Sequence, residues 1–120
     1  MKNLIVLFIL GLATVSISQK TIKNDEFNKL RVRSDAQVLD IRTPQEVKKG
    51  KIPNSINIDF FAKDFINQCE SKFDKKKPLL VYCAGGGRSS KAIKNLSKVG
   101  FKKVYELEGG FDDWSLINLE

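Results

Sequence analysis

The sequence predicts an α/β fold in three layers, a mostly parallel central sheet with helices on both faces. Three observations lead there. Short apolar runs alternate with segments of helical rhythm, as in strands joined by crossover helices. The run Leu79-Leu80-Val81-Tyr82 is apolar throughout, as a strand covered on both faces is. The length, 120 residues, suits one domain built on one such sheet.

The first segment stands apart from that domain. Met1-Lys2-Asn3 leads into an apolar stretch from Leu4 to Val15, with small residues following at Ser16 and Ser18. A positive start, a short apolar centre and small residues at its end form a secretory signal peptide over residues 1–18. The stretch falls short of the ~20 apolar residues that span a bilayer. The expectation is an exported, periplasmic domain over residues 19–120, cleaved behind Ser18, with no stable membrane insertion.

Within the domain, Ile22-Lys23 reads as a short edge strand. Asn24 is placed to cap a helix with Asp25 and Glu26 in its first turn and Phe27 and Leu30 on its apolar side. Ala36 to Ile41 is a strand with Val38, Leu39 and Ile41 buried. Thr43-Pro44-Gln45-Glu46 has the capping-box pattern with Pro44 at the first helical position, and this short helix ends near Gly50. Ser55 to Ile58 is another short strand. Phe61, Phe65, Cys69 and Phe73 recur every four residues with Ile66 beside them, the apolar face of an amphipathic helix. After the strand Leu79 to Tyr82, the residues Ala92, Ile93, Leu96 and Val99 form the buried side of a helix stopped by Gly100. Lys103 to Leu107 is the last strand. Gly109-Gly110 ends it and opens a terminal helix that carries Trp114 into the core.

Composition removes several function classes. The net charge is +7 and histidine is absent. Positive charge suits anionic partners, but the lysines are scattered. The densest run, Lys75-Lys76-Lys77, directly precedes Pro78 and a strand and reads as a solvated turn. No nucleic-acid partner is expected. Without histidine there is no Ser-His or Cys-His nucleophile pair and no histidine-bound metal; neither a metal nor a cofactor is required. Two cysteines, Cys69 and Cys83, often mean a disulfide in an exported protein. The helical spacing of Cys69 with three phenylalanines instead buries it as a small hydrophobe and leaves both thiols free.

The chemistry lies in Val81-Tyr82-Cys83-Ala84-Gly85-Gly86-Gly87-Arg88-Ser89-Ser90. In parallel sheets ligands bind outside the carboxyl ends of the strands, where Cys83 stands. Arg88 or Ser89 begins the next helix. Glycines let the backbone between them take left-handed dihedrals, so that amide N–H groups converge beside a helix N-terminus. The nearest anion for that nest is the sulfur of Cys83, and such surroundings favour a reactive thiolate with no histidine. Cys83 is therefore the predicted nucleophile, and Ala84, Gly85, Gly86, Gly87, Arg88 and Ser89 form the loop that holds the sulfur. Arg88 either sets a positive charge at the pocket mouth or bonds a nearby carboxylate. Asp40 and Arg42, at another strand end, brace the site from behind. Ser89 and Ser90 cap the helix or bond the sulfur.

Cys83 to Ser89 resembles the active-site loop of the rhodanese family of sulfurtransferases. Asp40-Ile41-Arg42-Thr43-Pro44-Gln45-Glu46 is similar to that family's aspartate-any-arginine segment, and Gly50-Lys51-Ile52-Pro53-Asn54-Ser55-Ile56-Asn57 to its Gly-His-Ile-Pro-Gly-Ala element. Gly109-Gly110-Phe111-Asp112-Asp113-Trp114 matches its closing Gly-Gly-x-x-x-Trp. Each segment alone is weak; the ordered set is specific. The resemblance implies a three-layer rhodanese-like domain and a ping-pong reaction. The Cys83 thiolate takes the outer sulfur of a small anionic donor such as thiosulfate, sulfite leaves, and a thiol or cyanide acceptor removes the sulfur. A single exported domain of this kind is similar to the periplasmic thiosulfate sulfurtransferases of the phage-shock type. Lys51 stands where the family commonly has histidine and Asn54-Ser55 where it has Gly-Ala; both changes are expected to alter packing and leave the chemistry intact.

Two rival functions share this logic. A persulfide carrier or sulfur-binding module serving a partner protein would have the same loop. A cysteine-dependent phosphatase or arsenate reductase fits less well. Phosphatases of this kind put one residue more between cysteine and arginine than the four present here, usually with a histidine before the cysteine.

Overall fold

A computed structural model describes residues 18–118. Nearly all of the predicted signal peptide, residues 1–17, lies outside the described residues. Among those described, no helix is long and apolar enough to cross a membrane. Strands β1 (Ser18–Ile22), β2 (Gln37–Asp40), β3 (Ile56–Asn57), β4 (Leu79–Tyr82) and β5 (Lys103–Leu107) form one parallel sheet in the order β1-β5-β4-β2-β3. The helices are α1 (Asn24–Arg31), α2 (Pro44–Val47), α3 (Phe65–Lys72), α4 (Gly87–Lys98) and α5 (Gly110–Ile117).

The alternation of strand side chains builds two cores. β4 lies between β5 and β2 and is buried at every position. Leu79, Val81 and Cys83 face one side, where Phe65, Cys69 and Phe73 from the α3 segment and Ala92, Ile93 and Leu96 of α4 cover them. Leu80 and Tyr82 face the other, against Phe27 of α1 and Trp114 of α5. Each fully buried Leu, Ile or Phe contributes roughly 1.5–3 kcal/mol. β4 therefore ends at Tyr82 with both flanks packed, and the loop that begins at Cys83 starts from a fixed point.

The capping box forms as its sequence predicts. Thr43 Oγ1 accepts from the Glu46 N–H, and the Glu46 carboxylate accepts from the Thr43 N–H at 2.8 Å. Lys75 to Lys77 make a turn, with Lys75 paired to Glu70 at 2.6 Å. Trp114 is buried, its Nε1–H donating to Asn28 Oδ1 at 2.9 Å.

Four expectations need correction. The first strand is longer than Ile22-Lys23: it starts at Ser18, opposite Lys103, and the Ser18 N–H donates to the Lys102 carbonyl at 2.7 Å. Its middle residues Gln19, Lys20 and Thr21 are exposed at a sheet edge, so no apolar alternation marks them. The expected cleavage point thus falls behind the first residue of β1. Asn24 does not cap α1; Lys23 occupies the cap position in extended backbone, and no side chain caps that end. Phe61 does not belong to the buried face of α3. It is 67% exposed, because the Asp59 carboxylate captures the Phe61 N–H at 2.9 Å and turns the chain before the helix begins at Phe65. β2 and β3 are also shorter than the apolar runs that mark them, and β3 is two residues at the other edge.

Cys69 and Cys83 are free thiols. Burial pushes the Cys69 thiol up to about 12, so it stays neutral. Thiol titration of the purified protein in denaturant without reductant should count two free thiols. Cys69→Ala should lose roughly 1 kcal/mol of stability for the vacated sulfur volume, measured by urea unfolding. Finding no free thiols would contradict this packing.

Candidate active site

Cys83 follows β4 directly and is buried. The Gly86 N–H donates to its Sγ at 3.0 Å. Gly86 caps α4 with φ +112°, a backbone state that other residues rarely take. The helix starts at Gly87, one residue before the earliest start that the sequence suggests. The left-handed backbone expected within the loop is present, but the expected convergence of several amides on the sulfur is reduced to one. Of the three glycines, Gly86 alone has a left-handed φ, and its N–H is the backbone donor on the sulfur. A Cβ at Gly85 or Gly87 would meet nothing within 4 Å, so these two leave open space along the loop.

The start of α5 holds the loop from its other side. The Phe111 N–H donates to the Cys83 carbonyl at 2.8 Å and the Asp112 N–H to the Ala84 carbonyl at 3.0 Å. Such approach requires a bare backbone at Gly110, where φ is +63° and a Cβ would collide with both carbonyls. Gly109-Gly110 is therefore part of the site, a role that its reading as a strand end and helix start misses.

Asp40 and Arg42 form a buried bidentate ion pair behind Cys83. Arg42 Nε donates to Asp40 Oδ1 at 3.0 Å and Nη2 to Oδ2 at 2.8 Å. The same Nη2 reaches the Gly50 carbonyl at 2.8 Å, and the guanidinium lies 4.1 Å from the Phe111 ring centroid. Burial works against the charge on Arg42, but the Asp40 carboxylate outweighs it and holds the pKa above its ordinary value. Tyr82, the residue before Cys83, donates its hydroxyl to Asp40 Oδ2 at 2.7 Å and accepts from the Ile52 N–H at 3.1 Å. Burial raises the Tyr82 pKa, so the hydroxyl stays a donor. Asn54 takes φ +67°, which suits a position where the similar family element has glycine. Ser55 Oγ bonds the Tyr82 hydroxyl at 2.9 Å, and Lys51 Nζ donates to the Ser55 carbonyl at 3.2 Å.

Arg88 resolves to the second of its two readings. Its Nη1 and Nη2 each lie 2.9 Å from a Glu46 carboxylate oxygen, a bidentate pair. The Arg88 bond holds Glu46 down at about 2, with Thr43 assisting. Ser89 and Ser90 do not cap the helix as expected, since Gly86 holds the cap position and no side chain bonds there; their hydroxyls lie within hydrogen-bond distance of the Gly86 carbonyl and the Glu106 carboxylate, and Ser89 Oγ is 3.6 Å from Cys83 Sγ. Sequence pattern alone does not mark Glu46 or Glu106 as site residues. Glu46 reads as a cap in the sequence, and the arginine it meets is 42 residues away. The signal for Glu106 is its polarity in Val104-Tyr105-Glu106-Leu107, where alternation puts it on the covered face with Val104. A cavity of about 290 Å³ adjoins the loop at Ala84, lined also by Arg42, Glu46, Lys49, Phe111 and Asp112.

Parallel topology with a cysteine after a central strand and a helix opening beside it defines the class, an α/β domain that sets a thiol at a helix N-terminus. The comparisons narrow this further. Residues 23–116 match the rhodanese-like domain, and the chain belongs to that family. It is 39% identical over 101 residues to a tRNA uridine(34) hydroxylase of Pelagibacter ubique, covering 80% of this chain and 34% of that protein. The chain thus spans about a third of that relative's length. It is 35% identical over 95 residues to the thiosulfate sulfurtransferase GlpE of Coxiella burnetii, covering 79% of this chain and 86% of that one. The rhodanese-like domain protein of Staphylococcus aureus superimposes with a TM-score of 0.68 at 35% identity, covering 79% of this chain and 90% of that chain.

Two outcomes follow from this geometry. Gly110→Ala should push α5 off the Cys83 and Ala84 carbonyls and lower thermal stability by several degrees, read by calorimetry; an unchanged melting temperature contradicts the close approach. Glu46 is depressed, so its pairing stabilises fully above pH 4.5 and is lost as pH falls through about 2. The stability difference between the protein and Glu46→Gln, measured by denaturant unfolding, should therefore shrink across that window.

Proposed function

We propose that the protein is a sulfurtransferase that moves sulfane sulfur from thiosulfate, or a related persulfide donor, to a thiophilic acceptor through a Cys83 persulfide. One observation carries the reading: Cys83 directly follows a central parallel strand, with the Gly86 N–H aimed at its sulfur from the head of α4. The family membership and the thiosulfate sulfurtransferases among the relatives support it.

The thiolate attacks the outer sulfur of thiosulfate. The S–S bond breaks, and sulfite leaves with its electron pair. The Gly86 N–H and the head of α4 then favour the anionic persulfide. An acceptor thiolate or cyanide attacks the outer sulfur, and Cys83 returns as a thiolate. Because Arg88 is neutralised by Glu46, the charge that draws a doubly negative donor comes from other groups on the cavity wall. Lys49 and Arg42 stand there, with Arg42 itself paired. The open space at Gly85 and Gly87 leaves room for the donor. Export belongs to the same reading: residues 1–18 as a signal peptide place the domain in the periplasm, and N-terminal sequencing of the expressed protein tests it.

The deciding assay is steady-state turnover with thiosulfate and cyanide beside hydrolysis of an aryl phosphate. Thiosulfate turnover with no phosphatase activity is the expected result. Intact-mass measurement after thiosulfate alone should show one added sulfur atom, absent in Cys83→Ser. Persulfide formation without turnover by any small acceptor would favour a carrier for a partner protein, and phosphate hydrolysis through Cys83 would overturn both.

A further inference from the structure

A buried carboxylate without a cation lies beneath the cysteine loop. Glu106 of β5 is 5% exposed. Burying a carboxylate is costly unless it is paired or well bonded, and among the described residues no lysine or arginine forms an ion pair with it. Hydroxyls hold it instead. Thr21 Oγ1 donates to Oε1 at 2.9 Å, Ser90 Oγ lies 3.1 and 3.2 Å from the two oxygens, and Ser89 Oγ donates to Oε2 at 2.7 Å. Alternation puts Glu106 on the face of the sheet shared by Val104, Val81 and Cys83. Ser89 joins the two: the Cys83 thiol donates to its Oγ across 3.6 Å. A hydroxyl has one proton, and the shortest bond it makes here is to Glu106.

Taking Cys83 as the nucleophile, as the proposed function does, we infer that Glu106 accepts the Cys83 thiol proton through the Ser89 hydroxyl. The S–H bond breaks and its electron pair stays on sulfur. That proton binds Ser89 Oγ, and the proton Ser89 already carried passes to Glu106 Oε2. One negative charge moves from the carboxylate to the sulfur, and no proton enters or leaves. The Ser89 O–H then points at the thiolate beside the Gly86 N–H, and the buried acid is neutral. This relay supplies the base that a chain without histidine lacks.

The neighbours leave the relay to these groups. α4 presents Ser89 and Ser90 to the pair, while Lys91 and Lys94 are exposed. Arg88 acts on Cys83 by its charge but is held by Glu46. β1 presents Thr21, and Lys20, opposite Tyr105, falls on the other face. β4 presents Val81 and Cys83.

Iodoacetamide alkylation of Cys83 against pH tests the relay without any sulfur donor, so its outcome is independent of whether sulfur transfer occurs. Glu106→Gln keeps an acceptor for the hydroxyls but takes up no proton. In the relayed state Glu106 is already a neutral acid, so the neutral amide should leave the midpoint of the pH profile in place, a shift of about zero. A carboxylate that stays charged beside a protonated thiol would, on removal, give faster alkylation and a midpoint lower by about one unit. That result overturns the inference. Should Glu106→Gln not fold, infrared difference spectra of the protein against Cys83→Ser at neutral pH decide. The carbonyl stretch of a neutral carboxylic acid should appear with Cys83 and be missing in the serine variant; equal spectra in that region reject the relay.

Discussion

The buried Asp40–Arg42 pair is the interaction that the rest of the site depends on. Arg42 bonds Asp40 at the end of β2, the Gly50 carbonyl after α2, and the face of Phe111 at the head of α5. Tyr82 adds the end of β4 by donating to Asp40, and through Ile52 and Ser55 it ties in the loop before β3. Three of the four sequence segments that resemble the rhodanese motifs therefore meet on one ion pair, and the fourth, Cys83 to Ser89, follows directly on Tyr82. Removing one partner of such a pair leaves a buried charge alone, at a cost of about 3–5 kcal/mol. In a domain of this size that is a large share of the total stability.

What this frame positions is a sulfur atom. Cys83 leaves β4 with Tyr82 anchored below it, and its carbonyl is held by the Phe111 N–H. The loop between strand and α4 then has little freedom, and Gly86 can turn its N–H onto the sulfur. Arg88 extends the frame outward by clamping the first turn of α4 to the capping box of α2. Rigid placement of one reactive atom, with fixed dipoles around it, is what nucleophilic catalysis without a neighbouring histidine requires.

Much of this was legible in the sequence where local pattern and tertiary role coincide. The all-apolar run of β4, the Thr43–Glu46 capping box and the Cys83 loop announce themselves because each is written in consecutive residues. Partners far apart in sequence do not. Nothing local says that Glu46 meets Arg88, that Tyr82 reaches Asp40, or that Gly110 lies against Ala84. Phe61 shows the reverse failure: its spacing fits the helix face, but one carboxylate two residues earlier turns the chain before helix can form. β1 is an exposed edge held by backbone pairing to β5, which leaves little apolar trace beyond Ile22.

The central claim is that the reactivity of Cys83 is set by the frame beneath it. The direct measurement is the burst of sulfite released when the protein is mixed rapidly with thiosulfate, compared with Tyr82→Phe. That variant keeps the ring in the core and loses only the hydroxyl bonds to Asp40, Ile52 and Ser55. With the variant shown to be folded by circular dichroism, the account predicts a burst rate about tenfold slower, as small displacements of a nucleophile cost large factors. A burst at the full rate would contradict it.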